Sequence, residues 1–380
     1  MKMPRVAIVH GEQTKCEPRK EGVSYAELVY EPVQQLLLKT GLDYDDVETV
    51  ISSSSDFLDG RTISDMAIQE AIGAVGKSAS KVSNDGSFAL IYAWMRLLSG
   101  EFDTCLVVAH SKCSEGHQAL IENAAFDPLL MRKLGLTNLI ASALQAQSLI
   151  AARKFTREQF ALAAVHDLKQ AHQNPNAHHG GSYSVQEIVD SPPLCDPIHP
   201  LEIAPYSDGA ACLLLVTESW LKRHAWKKPV AWIEGLGYCT ENHYLGDKHL
   251  TENRALYKAA RQAYRSAGIK TPKNEIHCLE ISSPFSYQTP LWLNELGFLE
   301  EAPLEDYLQA DDSSGHVLPC LNASGGLMGA APGFASGLIR VLETVKQIHA
   351  RPSLKGLAHG INGFPGQSHC VWIFKSGEPT

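Results

Sequence analysis

The sequence predicts a layered α/β fold made of two pseudo-symmetric halves, with a helical insertion in the first half. Three observations lead to this prediction: an internal repeat of strand and helix patterns, two helical segments almost free of charge, and a long stretch that interrupts the first repeat. Helices with few charges are typical of a protein interior. We therefore expect two sheets that enclose a central layer holding both helices.

Each half opens with a strand pattern that leads into a helix pattern. RVAIVHGEQT precedes SYAELVYEPVQQLLLKTGL in the first half, and PVAWIEGLGY precedes ALYKAARQAYRSAGI in the second. Both helix patterns stop at a glycine, which accepts the left-handed conformation found after many helices. A strand pattern ending in serines follows in each half, DDVETVISSSS and NEIHCLEISSP. The repeat predicts one half over residues 1–225 and another over 226–380.

A polar turn containing glycine then opens each charge-poor helix. SNDGSFALIYAWMRLLSG corresponds to NASGGLMGAAPGFASGLIRVL, and FDTCLVVAHSK corresponds to LAHGINGFPGQSHCVWIF. The N–H groups at the start of a helix suit a developing negative charge. Because ligands in α/β proteins gather beyond the carboxyl ends of strands, we expect a pocket where these turns meet.

Residues from about 114 to 200 interrupt the first repeat. They include the helical stretches SALQAQSLIAARKF and TREQFALAAVHDLKQAHQ, followed by a long loop. Insertions of this kind often carry binding residues on a rigid scaffold. We expect this one to form a wall of the substrate pocket.

Composition and charge exclude several functional classes. A net charge of −9 and a pI near 6.0 argue against a nucleic-acid-binding role, which needs a basic surface. The N-terminus lacks a signal-peptide pattern and no stretch is apolar enough to span a membrane, so we expect a cytoplasmic protein. The nine cysteines follow no metal-ligand spacing, so we predict no metal site.

Several motifs resemble those of the thiolases, in particular the sterol-carrier-type and archaeal acyl-CoA branch. They are the NP-x-A loop at Asn174–Ala177, the stretch SVQEIVDSPPLCDPIHPLEIAPYSDGAACLLL, and the turns at Asn322–Gly326 and Pro332–Gly337. The resemblance implies a five-layer αβαβα fold, a homodimer and a pocket for a coenzyme A thioester, which is a substrate and not a covalently bound cofactor. It also implies a small zinc-ribbon and OB-fold partner protein.

The catalytic positions depart from the thiolase pattern, in which a cysteine takes the acyl group and two further motifs supply polar partners. An ungapped register places Ser83 in the nucleophile position, and a gapped register places Asp85 there. Ala331 falls where the activating histidine belongs. Ser282 and Ser283 replace the histidine motif near the oxyanion, and His359 is the titratable group left in the last motif.

These positions define the candidate site. The catalytic candidates are Ser83, Asp85, Ser282 and His359. The substrate-binding candidates are Asn84, Gly86, Asn322, Ser324, Gly325, Gly326, Tyr238 and His243. In this interpretation, the two polar turns supply N–H donors to a thioester enolate.

Three functions are consistent with these replacements. The first is an enzyme that makes or breaks a carbon–carbon bond of an acyl-CoA without an acyl-enzyme, such as a retro-aldol lyase, which requires a base and enolate donors. The second is a catalytically degenerate subunit that binds acyl-CoA or scaffolds a partner. The third is an acyltransferase with Ser83 as nucleophile and His359 as base. A serine hydroxyl is a far weaker acid than a thiol, so the third function depends on a well-placed base.

Overall fold

Ten strands run through the residues that the computed structural model describes, which are 4–57, 59–60, 63–300, 302–309, 318–350 and 353–379. They are β1 (Val6–Gln13), β2 (Thr49–Ser53), β3 (Ser78–Val82), β4 (Thr104–Lys112), β5 (Asp208–Thr217), β6 (Val230–Thr240), β7 (Cys278–Ile281), β8 (Cys320–Leu321), β9 (Lys355–Asn362) and β10 (Ser368–Gly377).

The same ranges contain twelve α-helices. They are α1 (Tyr25–Thr40), α2 (Gly86–Leu98), α3 (Gln118–Ala125), α4 (Asn138–Ala151), α5 (Arg157–Gln173), α6 (Val185–Val189), α7 (Glu218–Arg223), α8 (Arg254–Ala267), α9 (Pro272–Glu275), α10 (Gln288–Glu295), α11 (Leu304–Leu308) and α12 (Ser336–His349). The predicted glycine stops are confirmed, because Gly41 after α1 and Gly268 after α8 adopt left-handed φ angles of 77° and 66°. None of the helices in these ranges is long and apolar enough to cross a membrane.

The strands are ordered β3-β2-β4-β5-β1-β6-β10-β9-β7-β8, so the two halves mirror each other about the β1–β6 contact. Instead of two separate sheets, the halves join edge to edge. The antiparallel junction is short and consists of the pairs Ala7–Trp232 and Ile8–Ala231. The strands β2 and β4 pair in parallel, as do β7 and β9 in the other half.

Helices α2 and α12 form the central layer, as the sequence predicts. They pack in one buried cluster with inward-facing residues of both halves, among them Ile8 and Leu213 in the first and Ala358 and Trp372 in the second. The alternate residues on the first-half strands, such as Ala7, face a separate cluster with α1. Burial of residues on opposite faces of one strand follows from the two-residue period of side chains.

On the far side of the second half, α8, α10 and part of α5 cover the outer face in a third cluster. The layers are therefore helix, the first half of the sheet, the central helices, the second half of the sheet, and helix. The five-layer arrangement is confirmed. Two local expectations change: the second central helix begins only at Ser336, after a long turn, and the last segment forms the hairpin of β9 and β10.

The insertion between β4 and β5 contains α3, α4, α5 and α6. Helix α5 begins with a capping box, in which Thr156 and Gln159 exchange hydrogen bonds with each other's backbone N–H groups. Helix α3 and the start of α4 lie over the region where the two central helices begin. The insertion therefore positions side chains against the junction of the two halves.

Candidate functional site

A cavity of about 710 Å³ lies at the N-terminal ends of α2 and α12. Its walls come from α3 and α4, from the segment before β5, from the loop after β7, and from the turn between β9 and β10. Most of the lining is apolar and includes Leu120, Ile203, Phe285, Phe334 and Phe364. A cavity with apolar walls and a few polar groups is the usual form of a small-molecule site.

Asp85 is a buried residue in the lining of this cavity, and it joins the two central helices. As the N-cap of α2, its carboxylate accepts hydrogen bonds from the Ser87 N–H at 2.9 Å and the Ser87 hydroxyl at 2.5 Å. The second carboxylate oxygen accepts from the Gly337 N–H of α12 at 2.8 Å. Burial raises the pKa of Asp85 to about 6, and these hydrogen bonds oppose that shift.

The neighbouring candidates lie outside the cavity lining. Ser83 is exposed, so its hydroxyl is not placed to attack a ligand bound in the cavity. The Asn84 side chain accepts a hydrogen bond from the Asp85 N–H at 2.8 Å, and its carbonyl accepts from Ser53. Gly86 is buried against Leu338, where an added Cβ would lie 2.7 Å from the Leu338 Cβ. Its role is to let the central helices approach closely.

Two cavity residues were missed by the sequence analysis, Glu122 on α3 and Tyr206 just before β5. The Tyr206 hydroxyl donates a hydrogen bond of 2.5 Å to Glu122. Tyr206 also forms a backbone bridge with Ala331, which lines the cavity as well. The only signals in the sequence were an acidic residue in QALIENAA and a tyrosine in APYSDGAA, and neither pattern is specific.

The turn at Asn322–Gly326 makes hydrogen bonds to neighbouring elements and does not line the cavity. The Asn322 side chain accepts from the Ile281 N–H at 2.8 Å and donates to the Asp167 carboxylate at 3.0 Å. The Ser324 N–H and hydroxyl both donate to Glu280, at 3.1 and 2.6 Å. These donors are engaged, so the expectation that they hold an enolate is not supported.

Steric constraints explain why glycine occupies both positions 325 and 326 of this turn. Gly325 and Gly326 have φ angles of +87° and +55°, in the region that L-residues rarely adopt. An added Cβ on Gly325 would lie 2.4 Å from the Ala171 Cα, and one on Gly326 would lie 2.7 Å from the Asn322 side chain. Both glycines allow the turn to pack against α5.

The serines after β7 are buried beside the cavity and do not line it. Neither the Ser282 nor the Ser283 hydroxyl has a hydrogen-bond partner among the described residues. The Ser282 carbonyl accepts from the Trp292 indole N–H at 3.0 Å. The adjacent Pro284 and Phe285 reach the cavity wall. The backbone of Ser282 therefore anchors this loop to α10 through the hydrogen bond from Trp292.

His359 lies on the opposite face of β9 from the central helices. Its ring stacks on that of His369 with an Nε2–Nδ1 distance of 2.9 Å, and both rings contact Trp292. Burial lowers the pKa of His359 to about 3. A buried, neutral imidazole that does not line the cavity cannot act as the base for a ligand there, so the expected role of His359 is not supported.

Of the two candidates in and after β6, one lines the cavity and the other does not. Tyr238 is 54% exposed and lies outside the cavity lining. His243 lines the cavity and packs against Phe126, with ring centroids 6.2 Å apart. Of the predicted site residues, Asp85 and His243 are therefore the ones that the fold brings to the cavity.

No cysteine lines the cavity within the described part of the chain. Cys370 is the thiol that contacts the start of α2, where its Sγ donates to the Ser87 carbonyl at 3.7 Å. Burial holds its pKa well above the usual value, which keeps it as a thiol. Cys113 is also buried, with its pKa raised to about 12. The described residues contain no group of three metal-ligating side chains.

Comparison with known sequences connects this chain to the thiolases. Residues 237–375 match the family described as "Thiolase C-terminal domain-like". An acetyl-CoA acetyltransferase of Methanothermobacter thermautotrophicus is 29% identical over 58% of each chain. Sterol carrier protein 2 of Gallus gallus is 25% identical over 93% of this chain and 66% of its own length. The chain therefore spans less than two thirds of either relative, although it matches 92% of a 25% identical acetyl-CoA acetyltransferase of Methanocaldococcus jannaschii.

Solved structures share the fold over nearly the whole chain. The "Ltp2-ChsH2(DUF35) aldolase" has a TM-score of 0.79 at 20% identity and covers 98% of both chains. A monomeric SCP2-thiolase-like protein type 1 from Mycobacterium smegmatis has a TM-score of 0.74 at 18% identity, over 97% of this chain and 76% of its own. Residues 237–375 are therefore similar to a thiolase C-terminal domain, and the chain as a whole shares the fold of thiolase-like structures.

Proposed function

We propose that this protein makes or breaks a carbon–carbon bond of an acyl-CoA thioester without forming an acyl-enzyme, and that retro-aldol cleavage of a β-hydroxyacyl-CoA is the reaction. The observation that carries the proposal is the composition of the cavity. Asp85 lies at the start of α2, Ala331 takes the place expected for an activating imidazole, and the described lining contains no cysteine. The usual covalent route therefore lacks its cysteine and the imidazole expected at position 331.

The remaining groups suit the proposed reaction. Retro-aldol cleavage needs a base for the hydroxyl proton and donors for the thioester enolate. Glu122, Tyr206 and His243 can exchange protons, and the side-chain amides of Gln288 and Asn362 lie in the same lining. The apolar walls suit a hydrocarbon acyl group. An aldolase with the same fold supports the proposal, since it places this type of chemistry on this architecture.

A second candidate is a non-catalytic subunit that binds acyl-CoA or scaffolds a partner. The Asp85 carboxylate already occupies N–H donors of both central helices, at Ser87 and Gly337. Those donors are therefore not free to stabilise an oxyanion, and a carboxylate beside an enolate would raise its energy. This observation favours a binding role over turnover.

The expected assembly and location are also proposals. We also propose that the protein forms a homodimer and binds a small partner protein with a zinc ribbon and an OB fold. The aldolase with a DUF35 component supports the idea of a partner. The other structural neighbour is described as monomeric. Light scattering on the purified protein measures its oligomeric state. A cytoplasmic location stays a prediction of the sequence.

The test of function is product analysis with a panel of β-hydroxyacyl-CoA substrates of different chain length and branching. Chromatography with mass spectrometry follows the parent thioester, the shortened acyl-CoA and the carbonyl product. We expect the last two to appear in equal amounts. Binding of acyl-CoA with no product from any member of the panel would favour the non-catalytic subunit.

A further inference from the structure

Glu122 and Tyr206 form a hydrogen-bonded pair built from separate elements. Their contact of 2.5 Å joins residues that are 84 positions apart in the chain. The other Glu122 oxygen accepts from the Asn138 N–H, the first residue of α4, at 3.1 Å. Glu122 is 9% exposed. The carboxylate is therefore held in one orientation from both sides.

The backbone holds the phenol beside the position that lacks an imidazole. Tyr206 pairs with Ala331 in a parallel bridge, in which the Ala331 N–H donates to the Pro205 carbonyl at 3.1 Å. The Ser207 N–H donates to the Ala331 carbonyl at 3.2 Å. Ala331 has no polar side chain, and the bridge places the Tyr206 backbone beside it in the cavity lining.

The protonation of the pair suits a relay. Tyr206 is 38% exposed as a whole residue, but desolvation of its hydroxyl and the adjacent Glu122 carboxylate hold its pKa well above the usual value. The phenol therefore stays protonated near neutral pH. A phenol that donates its own proton to a carboxylate still has lone pairs that can accept a second hydrogen bond. The acceptor side of Tyr206 is therefore suited to a substrate hydroxyl.

We propose that Tyr206 and Glu122 are the catalytic base of the retro-aldol reaction, acting together as a proton relay on the β-hydroxyl of the substrate. This inference rests on the proposed function and assigns its proton-transfer step. It also assigns the substrate class, a β-hydroxyacyl-CoA whose hydroxyl reaches the Tyr206 oxygen while its acyl chain lies along the apolar walls.

The step balances without a further reactant. The substrate hydroxyl gives its proton to the Tyr206 oxygen as the phenol proton moves to Glu122. The C–O bond becomes a carbonyl, the Cα–Cβ bond breaks, and its electron pair forms the thioester enolate. A proton returned from the relay to Cα then gives the shortened acyl-CoA and restores both side chains.

The matched test uses Tyr206→Phe, which removes one oxygen, and Glu122→Gln, which keeps the size of the side chain. We expect kcat for cleavage to fall at least about 100-fold in each variant, the lower end of the range for general acid–base catalysis. The Kd for a non-reactive acyl-CoA and the thermal midpoint serve as controls for binding and folding. Tyr257→Phe, at an exposed position on α8, serves as the control for a generic loss of a tyrosine hydroxyl.

The outcomes separate the two proposals. Cleavage by the wild-type protein that both variants retain within threefold would overturn the relay and leave the proposed function standing. A wild-type protein that binds acyl-CoA and cleaves no β-hydroxyacyl-CoA would overturn both. Loss of kcat in the two variants, with Kd preserved, supports the relay, since a purely structural role would alter binding or the thermal midpoint.

Discussion

At the scale of single residues, Asp85 is the candidate that the gapped register places where a thiolase has its cysteine, and it lies at the start of α2. A cysteine at the start of a helix gains acidity from nearby N–H groups and becomes a nucleophile. A carboxylate in that place instead accepts those N–H groups, here from Ser87 and Gly337. The space it needs is supplied by a glycine, because a Cβ on Gly337 would lie 1.8 Å from the Asp85 Oδ1.

Asp85→Asn tests this burial through pH dependence. Burial raises the folded-state pKa from its ordinary value of 3.8 to about 6, so ionisation of Asp85 destabilises the folded protein as pH rises through that interval. The wild-type free energy of unfolding, relative to the variant, should fall by on the order of 3 kcal/mol between pH 4 and pH 7. Urea denaturation at several pH values measures it. A difference that is constant over this range would show that Asp85 titrates normally.

Residues on the cavity wall show why a site is harder to predict than a fold. Asp85 and His243 were predicted because they sit in recognisable turns. Glu122 and Tyr206 lie far apart in sequence, and their contact exists only once the insertion folds over β5. Ser83 and Asp85 came from two alternative registers of the sequence, and in the structure Ser83 is exposed whereas Asp85 is buried.

At the scale of elements, strand β9 explains the placement of His359. Side chains alternate between the two faces of a strand, so His359 and Ala358 face opposite layers. Ala358 contributes to the central cluster, whereas His359 stacks on His369 beneath Trp292. The motif resemblance identified the strand that carries His359. Which layer His359 faces depends on the alternation of side chains along that strand.

His359→Gln should make the protein less sensitive to acid. The pKa of His359 is lowered to about 3 from its ordinary value of 6.5. Between these two pH values, the imidazole is protonated in the unfolded chain and neutral in the folded protein. Wild-type stability relative to the variant should therefore fall by about 2 kcal/mol between pH 7 and pH 5. Chemical denaturation at both pH values measures this. Equal losses in the two proteins would contradict a buried neutral imidazole.

The turn before α12 is a structural element, and Gly325→Ala measures how tightly it packs. Gly41 is a matched control, with a similar positive φ and nothing within 4 Å of an added Cβ. Because the Gly325 Cβ would meet Ala171, Gly325→Ala should cost about 2 kcal/mol more than Gly41→Ala. Thermal or urea unfolding compares the two. Equal costs would mean that the turn has room to face a ligand.

The repeated elements were predictable because their signals are local. Strand and helix periodicity, with a glycine after α1 and α8, appears within short windows of sequence. The role of the Asn322 turn was not predictable in this way, because its partner Asp167 lies 155 residues away in the insertion. The segment LAHGINGFPGQSHCVWIF corresponds in the repeat to the single strand FDTCLVVAHSK, but in the structure it forms the β9–β10 hairpin.

At the scale of the whole molecule, the symmetry of the halves creates the cavity and the insertion breaks that symmetry. The two central helices begin side by side, which brings their N-terminal N–H groups to one point. Helix α3 of the insertion adds Glu122 and apolar residues to one wall only. The insertion therefore makes the cavity asymmetric, and in the proposed relay it supplies Glu122.

We propose that a carbon–carbon bond of the substrate is cleaved in this cavity without a covalent acyl-enzyme. Intact-mass spectrometry of the protein, quenched during turnover of a β-hydroxyacyl-CoA, tests it most directly. We expect a shortened acyl-CoA and a carbonyl product while the mass of the protein stays unchanged. A protein mass increased by the acyl group, at Ser83 or at any cysteine, would contradict it.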